Sequence, residues 1–243
     1  MSVRWHKYAN PESTAQACAH HVIARLEEVL AGQDRATLAI SGGATPRLLF
    51  RELAASGFSF DRVHLFWVDE RGVPPTDSQS NYKLAEETLI APGRIPHSHV
   101  HRIRAELAPD AAAELYADDI RQFFNVDDGE LPHFDVVQLG MGPDAHTASL
   151  FPGEPLIDDR EKIAAAVYVE KFSQWRITLL PGVLLAAWHT VFLVAGEEKA
   201  GAVRAVFNEE YDPKKYPAQV VSHHGRRVAW FLDEAASKLM ETE

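Results

Sequence analysis

An acid and an imidazole stand two residues apart in Gly140-Met141-Gly142-Pro143-Asp144-Ala145-His146-Thr147-Ala148-Ser149-Leu150-Phe151-Pro152. The ordinary acidity of imidazole suits it to general-base work near neutral pH. A carboxylate beside it can orient the ring or stabilise its charge. The preceding run Phe134–Leu139 is short, partly β-branched and closed by glycine, which predicts a buried strand. Glycines and a proline then impose an irregular loop, and open α/β sheets bind ligands at such strand ends. A plainer role is open to the same residues, with Asp144 capping a turn and His146 packing. The rest of the chain decides between the two.

A second segment, Ser41-Gly42-Gly43-Ala44-Thr45, follows the short apolar run Thr37–Ile40. Glycines let a backbone approach an anion closely, hydroxyls donate, and a helix starting at Thr45-Pro46 would point its positive end at the loop. A strand–helix turn with Thr45 as N-cap is the bland alternative. The spacing matches neither the Walker pattern nor Gly-x-Gly-x-x-Gly. Cations for such a cradle stand beside strand ends: Arg71 after Asp69-Glu70, Arg176 heading an Ile-Thr-Leu run, and Lys199 opening a helix. A guanidinium can bind phosphate through two parallel hydrogen bonds, which favours Arg71 and Arg176 over Lys199. Each would otherwise be an ordinary solvated surface charge.

The elements that must hold these groups alternate along the chain. Asn10-Pro11-Glu12 reads as an N-cap and first helical turn, and the apolar spacing from Ala15 to Leu30 predicts a helix ending near Gly32. Strands are expected at Thr37–Ile40, Val63–Val68, Val100–Ile103, Phe134–Leu139, Ile163–Val169, Thr190–Val194 and Val228–Leu232. Helices are expected from Thr45 to Ala55 with Gly57 closing it, and over Asn81–Ile90, Pro109–Phe124, Pro181–Ala187, Glu197–Phe207 and Glu234–Met240. Arg71–Ser80 reads as a loop. The alternation predicts an α/β protein, a three-layer αβα sandwich around a mainly parallel, Rossmann-like sheet.

Composition bounds the partners. The 243 residues are 46% hydrophobic and 24% charged, enough for a substantial core, and nothing marks a linker, so residues 1–243 read as a single domain. A net charge of −11 disfavours nucleic acid, and makes any anion site a matter of local cations. No apolar run reaches the length of a membrane span, and the N-terminus lacks the apolar centre of a secretory signal. The single cysteine, Cys18, excludes an internal disulfide, suits a cytoplasmic setting, and sits at a helix position expected in the core. His97, His99 and His101 alternate as they would on one strand face, but they and His223-His224 lack zinc-motif context, so no metal is expected. No Gly-x-Ser-x-Gly elbow is present.

Four blocks occur in order: Ser41-Gly42-Gly43-Ala44-Thr45-Pro46; Asp69-Glu70-Arg71-Gly72-Val73-Pro74-Pro75 with Ser80-Asn81-Tyr82; the Gly140–Pro152 loop; and Arg176-Ile177-Thr178-Leu179. Together they resemble the 6-phosphogluconolactonases, within the larger glucosamine-6-phosphate isomerase-like group, over about Thr37 to Asp233. The resemblance implies a sugar-phosphate isomerase-like fold and hydrolysis of 6-phospho-D-glucono-1,5-lactone to 6-phospho-D-gluconate in the oxidative pentose phosphate route, without a cofactor. It further implies His146 as base toward water and Asp144 as its orienter. Arg71 or amides of the Gly140–Gly142 loop would receive the oxyanion. Ser41, Gly42, Gly43, Thr45, Asp69, Arg71, Arg176 and Lys199 would gather around the phosphate and lactone oxygens. The chain departs from the family pattern at Ala145, where glycine is usual. A left-handed backbone there would strain an alanine by roughly 1 kcal/mol or more. The matching acid to Asp69 abstracts a proton in the sugar-phosphate isomerases of the group. Here the Glu70-Arg71 pair, the Ser80-Asn81-Tyr82 block and the lack of a later acid after His146 resemble the lactonases instead. An amino-sugar-phosphate isomerase or deaminase, or a sugar-phosphate sensor without chemistry, are the alternatives. Oligomeric state is not legible.

Overall fold

The computed structural model describes residues 4–240. Strand β1 (Arg4–Tyr8) leads to helix α1 (Pro11–Leu30), whose start follows from its sequence. Asn10 and Ser13 form a reciprocal capping box, with the Ser13 amide donating to the Asn10 side chain at 2.8 Å and Pro11 at the first helical position. Then come β2 (Ala36–Ile40), α2 (Ala44–Ala55), β3 (Val63–Trp67), β4 (Asp69–Arg71) and α3 (Asn81–Ala85), which continues as a π-turn over Glu86–Ile90. The second half holds β5 (Val100–His101), α4 (Pro109–Phe124), β6 (Val136–Leu139), β7 (Ala164–Val169), β8 (Gln174–Leu179), α5 (Pro181–Ala186), β9 (His189–Val194), α6 (Ala200–Asn208), α7 (Ala218–His224) and β10 (Val228–Asp233).

Seven strands form one parallel sheet in the order β1-β10-β9-β6-β2-β3-β5. Every residue of β2, β6 and β10 is buried, as required of strands covered on both faces. The expected mainly parallel sheet flanked by helices is what the chain forms. From β2 the chain steps outward through β3 to β5, and from β6 it steps the other way through β9 to β10. The loops leaving β2 and β6 therefore diverge, which opens a crevice at the carboxyl ends of these adjacent central strands.

Several local expectations need correction. The run Ile163–Val169 is a strand, but it lies outside the parallel sheet. It belongs to an antiparallel three-stranded sheet, β4-β8-β7, that packs beside the crevice. Arg71 ends β4 rather than starting a loop, and Arg176 lies within β8. Strand β1 and helix α7 had no expectation: β1 is mostly exposed and polar, so it lacks apolar alternation, and α7 is a short helix. Glu234–Met240 is a run of turns held by Asp233, whose carboxylate accepts from the Ala236 amide at 2.7 Å. The three histidines do not share a strand face. His97–His99 is a 3₁₀ turn and only Val100–His101 is extended. His99 and His101 pack on His64 of β3, and among the described residues no group of three or more His, Cys, Asp or Glu could hold a metal ion. No helix among them is long and apolar enough to cross a membrane.

Candidate active site

The crevice is a cleft of about 230 Å³ lined by Ser41–Thr45, Asp69, Arg71, Gly140–Gly142, His146, Arg176 and Lys199, together with Glu198. Asp144 is not among its lining residues but stands directly behind His146. Every residue expected to act on substrate thus falls on this cleft or in contact with it, although they come from β4, β8, the loops after β2 and β6, and the turn before α6.

The loop after β6 is folded tightly on itself. The Gly142 amide donates to the His146 carbonyl at 2.9 Å, the Ala145 amide to the Gly142 carbonyl at 3.0 Å, and the Thr147 hydroxyl to the Gly140 carbonyl at 2.9 Å. The Gly142 amide is therefore occupied within the loop, so of the expected oxyanion donors there remain Arg71 and the other amides of the Gly140–Gly142 loop. A side chain at Gly142 has no room: its Cβ would lie 2.0 Å from His146 Nδ1 and 2.7 Å from Asp144 Oδ1. Ala145 sits at φ 62°, in the left-handed region, and is buried at 1% exposure. The strain anticipated for alanine at this position applies, of order 1 kcal/mol.

Asp144 Oδ1 lies 2.5 Å from His146 Nδ1. A carboxylate acceptor makes Nδ1 the protonated nitrogen and leaves Nε2 as the one with a lone pair. Phe151 stacks on the ring at 4.1 Å and fixes its plane. Lys171, a residue the sequence reading did not single out, places its ammonium 3.2 Å from the other Asp144 oxygen. Partial burial pushes the Asp144 carboxyl up, but the His146 hydrogen bond and charge and the Lys171 contact outweigh it and hold it well below the usual carboxylate range. Asp144 is thus a persistent anion.

Asp69, the first residue of β4, is buried. Its carboxylate accepts from Ser149 Oγ at 2.6 Å and stands 3.8 Å from Arg176 Nη1. Arg71 and Arg176 are paired directly across β4 and β8, so both guanidiniums project from one face. Burial, and after it the Asp69 and Arg71 charges acting in opposite directions, leave the Arg176 guanidinium below its usual range. Nε of each arginine is buried without a partner among the described residues. Like charges directly opposite one another destabilise a sheet unless an anion sits between them. Glu70 holds the neighbourhood in place. Its buried carboxylate accepts the Asn81 and Tyr82 amides at 2.7 Å each and the Ser80 hydroxyl at 3.1 Å, locking β4 onto the start of α3. Burial pushes the Glu70 carboxyl up, and these bonds oppose it.

At the other side Gly43 adopts φ 123°, open in practice only to glycine, and turns β2 into α2. Helix α2 starts at Ala44, and no side chain caps it. Thr45 is not the N-cap. The uncapped amides at this helix start face the cleft, the arrangement that attracts anions. Ser41 is tethered through its amide and hydroxyl to Gln138 of β6, both at 3.2 Å. Among the described residues Lys199 has only a long contact, 3.9 Å, to Glu198. Ser149, Gln138 and Lys171 were not singled out because each acts through contacts distant in sequence, and Glu198 because an acid beside Lys199 carries no signal of its own. Ser149 lies inside the Gly140–Pro152 loop and Gln138 in the strand that leads into it.

The comparisons agree with this architecture. A family model described as glucosamine-6-phosphate isomerases/6-phosphogluconolactonase matches residues 9–230. A human protein named 6-phosphogluconolactonase is 38% identical over 240 residues, covering 96% of this chain and 92% of that one. A Synechocystis protein of the same name is 34% identical over 218 residues, 89% of this chain and 90% of its own. A solved Trypanosoma cruzi 6-phosphogluconolactonase superimposes with a TM-score of 0.89 at 22% identity, over 99% of this chain and 98% of its own, a likeness of fold. The chain belongs to the glucosamine-6-phosphate isomerase/6-phosphogluconolactonase family.

Proposed function

We propose that the protein is a carboxylic-ester hydrolase that opens 6-phospho-D-glucono-1,5-lactone to 6-phospho-D-gluconate in the oxidative pentose phosphate pathway, with residues 1–243 acting as one domain. The observation that carries the reading is the Asp144–His146 pair, at 2.5 Å, on a cleft that also holds a cation-lined anion cradle.

The mechanism follows from the geometry. Water attacks the lactone carbonyl while His146 Nε2 removes its proton, and the negative Asp144 stabilises the imidazolium that forms. With the Gly142 amide occupied, the developing oxyanion is met by the guanidiniums of Arg71 and Arg176 together with the other amides of the Gly140–Gly142 loop, all of which line the cleft. Collapse breaks the bond between carbonyl carbon and ring oxygen, and the imidazolium returns its proton to that oxygen. The sum is lactone plus water giving the hydroxy acid, with no metal, nucleotide or redox partner in the balance. The Ser41-Gly42-Gly43-Ala44-Thr45 turn, the start of α2 and Lys199 hold the phosphate. Asp69 holds Arg176 through an ion pair and accepts the Ser149 hydroxyl, so both contacts tie its carboxylate to the pocket wall. A cytoplasmic setting accords with the single buried cysteine, and because the chain's net charge of −11 opposes an anion, the sugar-phosphate lactone depends on the local cations of the cleft.

The test mixes purified protein with freshly generated lactone. Consumption far above the spontaneous rate, with no added metal or nucleotide, is expected. A rate equal to buffer removes the proposal, and ammonia release from glucosamine 6-phosphate would replace it with the deaminase. Tight binding of 6-phosphogluconate without turnover would mark a sensor.

A further inference from the structure

We propose that a cavity at the amino-terminal ends of β9, β10 and β1 is a second site, separate from the His146 cleft, for a phosphorylated small molecule. Strands β9 and β10 begin at His189 and Val228 on its rim, whereas the cleft is lined by Leu193 and Val194 at the carboxyl end of β9. Six residues of strand put about 20 Å between the two.

The chain carries a net charge of −11, yet Arg25, Arg227, His21 and His189 converge on this cavity with Glu28 as the one acid in its lining. Arg25 and Glu28 pair at 2.7 Å, which uses the acid. Arg227 has no carboxylate among the described residues. Its one polar contact is to His189 Nε2 at 3.4 Å, and it holds φ 42°, a left-handed backbone uncommon outside glycine. Ser222, on α7 and 1% exposed, lines the same cavity, and among the described residues its hydroxyl has no hydrogen-bond partner; nor does Arg25 Nε. Buried polar groups are rarely left unpaired. Burial, and after it the Arg25, His6 and His189 charges against the opposing Glu28, pushes the His21 imidazole down to about 4. Two guanidiniums and a hydroxyl are the donor set that recognises a phosphate oxygen array. The cavity measures about 730 Å³, in the range of pockets that enclose whole organic ligands rather than a lone ion. The ligand is therefore an organic phosphate held by its phosphate, of sugar-phosphate or nucleotide size.

The experiment follows the ring resonances of His21 and His189 by NMR, assigned with His21→Gln and His189→Gln, as the full chain is titrated with glucose 6-phosphate, adenosine 5′-monophosphate or inorganic phosphate. Saturable shifts of both rings with at least one organic phosphate, at concentrations at least tenfold below inorganic phosphate, are expected. Arg227→Gly, which suits the backbone angle, should weaken that binding at least tenfold and Ser222→Ala several-fold, with Arg227→Lys retaining most of it. None of these changes touches the His146 cleft, so unchanged lactone hydrolysis reports intact folding. Rings that stay still while His146 responds overturn the proposal, as does binding indifferent to Arg227→Gly. Organic phosphates that bind no tighter than inorganic phosphate would reduce the site to a simple ion sink and equally overturn it.

Discussion

Replacing Asp144 by asparagine separates the charge of the catalytic pair from its geometry. Asparagine is nearly isosteric, and its carbonyl oxygen can still accept from Nδ1 where the carboxylate now stands at 2.5 Å, so the ring keeps its orientation. The attraction between carboxylate and the imidazolium formed during water attack is lost. Two unit charges about 4 Å apart interact by about 4 kcal/mol at an effective dielectric near 20. The Asp144 and His146 side chains remain 25% and 21% exposed, and Lys171 already offsets part of the carboxylate charge. Roughly half of that energy, about 2 kcal/mol, is therefore at stake. At about 1.36 kcal/mol per tenfold, kcat should fall about 30-fold. His146→Ala removes the base itself and should cost on the order of 10²–10⁴-fold, with KM within a few-fold in both variants. The double variant should be no worse than His146→Ala alone, because Asp144 acts through the ring. A pH-stat assay on fresh lactone, corrected for spontaneous opening, measures all three. Near-full activity in His146→Ala would refute the histidine mechanism and make Asp69 the next base to test. A double variant much worse than His146→Ala would refute the claim that Asp144 works only through it.

Lys171→Met removes a cation that offsets part of the Asp144 charge beside the imidazolium formed in water attack, so kcat should rise by a few-fold or less, since Lys171 is 57% exposed; a marked fall in kcat with the chain folded would contradict the electrostatics. Lys199→Ala should raise KM for the phosphorylated lactone about tenfold or more and leave slow turnover of unphosphorylated gluconolactone unchanged; equal losses on both would place Lys199 at the reacting carbonyl. Gly142→Ala would drive a methyl into His146 Nδ1 and Asp144 Oδ1, so kcat should drop at least tenfold while the chain stays folded by circular dichroism. Burial, with His99, His101 and Arg35, pushes the His64 imidazole down to about 4. Between that value and about 6.5 the unfolded chain binds the extra proton, so stability falls as pH drops through this window and is greatest above it. His64→Phe, set among Phe66 and Phe123, should flatten that loss by roughly 2 kcal/mol in urea unfolding at pH 4.5 against pH 7; an unaltered slope would exclude His64 as its source.

The chemistry of this protein was legible where one short segment carries both the reacting groups and the constraint that exposes them. Asp144 and His146 sit in a glycine-interrupted loop after an apolar strand, and Ser41-Gly42-Gly43 repeats that arrangement after β2. Residue type, spacing and strand signal determine such features locally. The parallel sheet was legible for the same reason: its strands are apolar on both faces and alternate with helices. Strand β1 was invisible because it is polar and exposed, held as a strand by pairing with β10 rather than by its own pattern. The placement of Arg71 opposite Arg176 is a matter of register between β4 and β8, which lie about a hundred residues apart, and no local propensity encodes it. The same holds for Lys171 on Asp144 and for Ser149 on Asp69. These contacts decide which carboxylate stays free to assist the histidine and which is tied to an arginine. Sequence supplied the candidate groups and their order along the chain. Only the tertiary structure settled which of them meet, because long-range pairing and burial, not residue type, set the distance between charges.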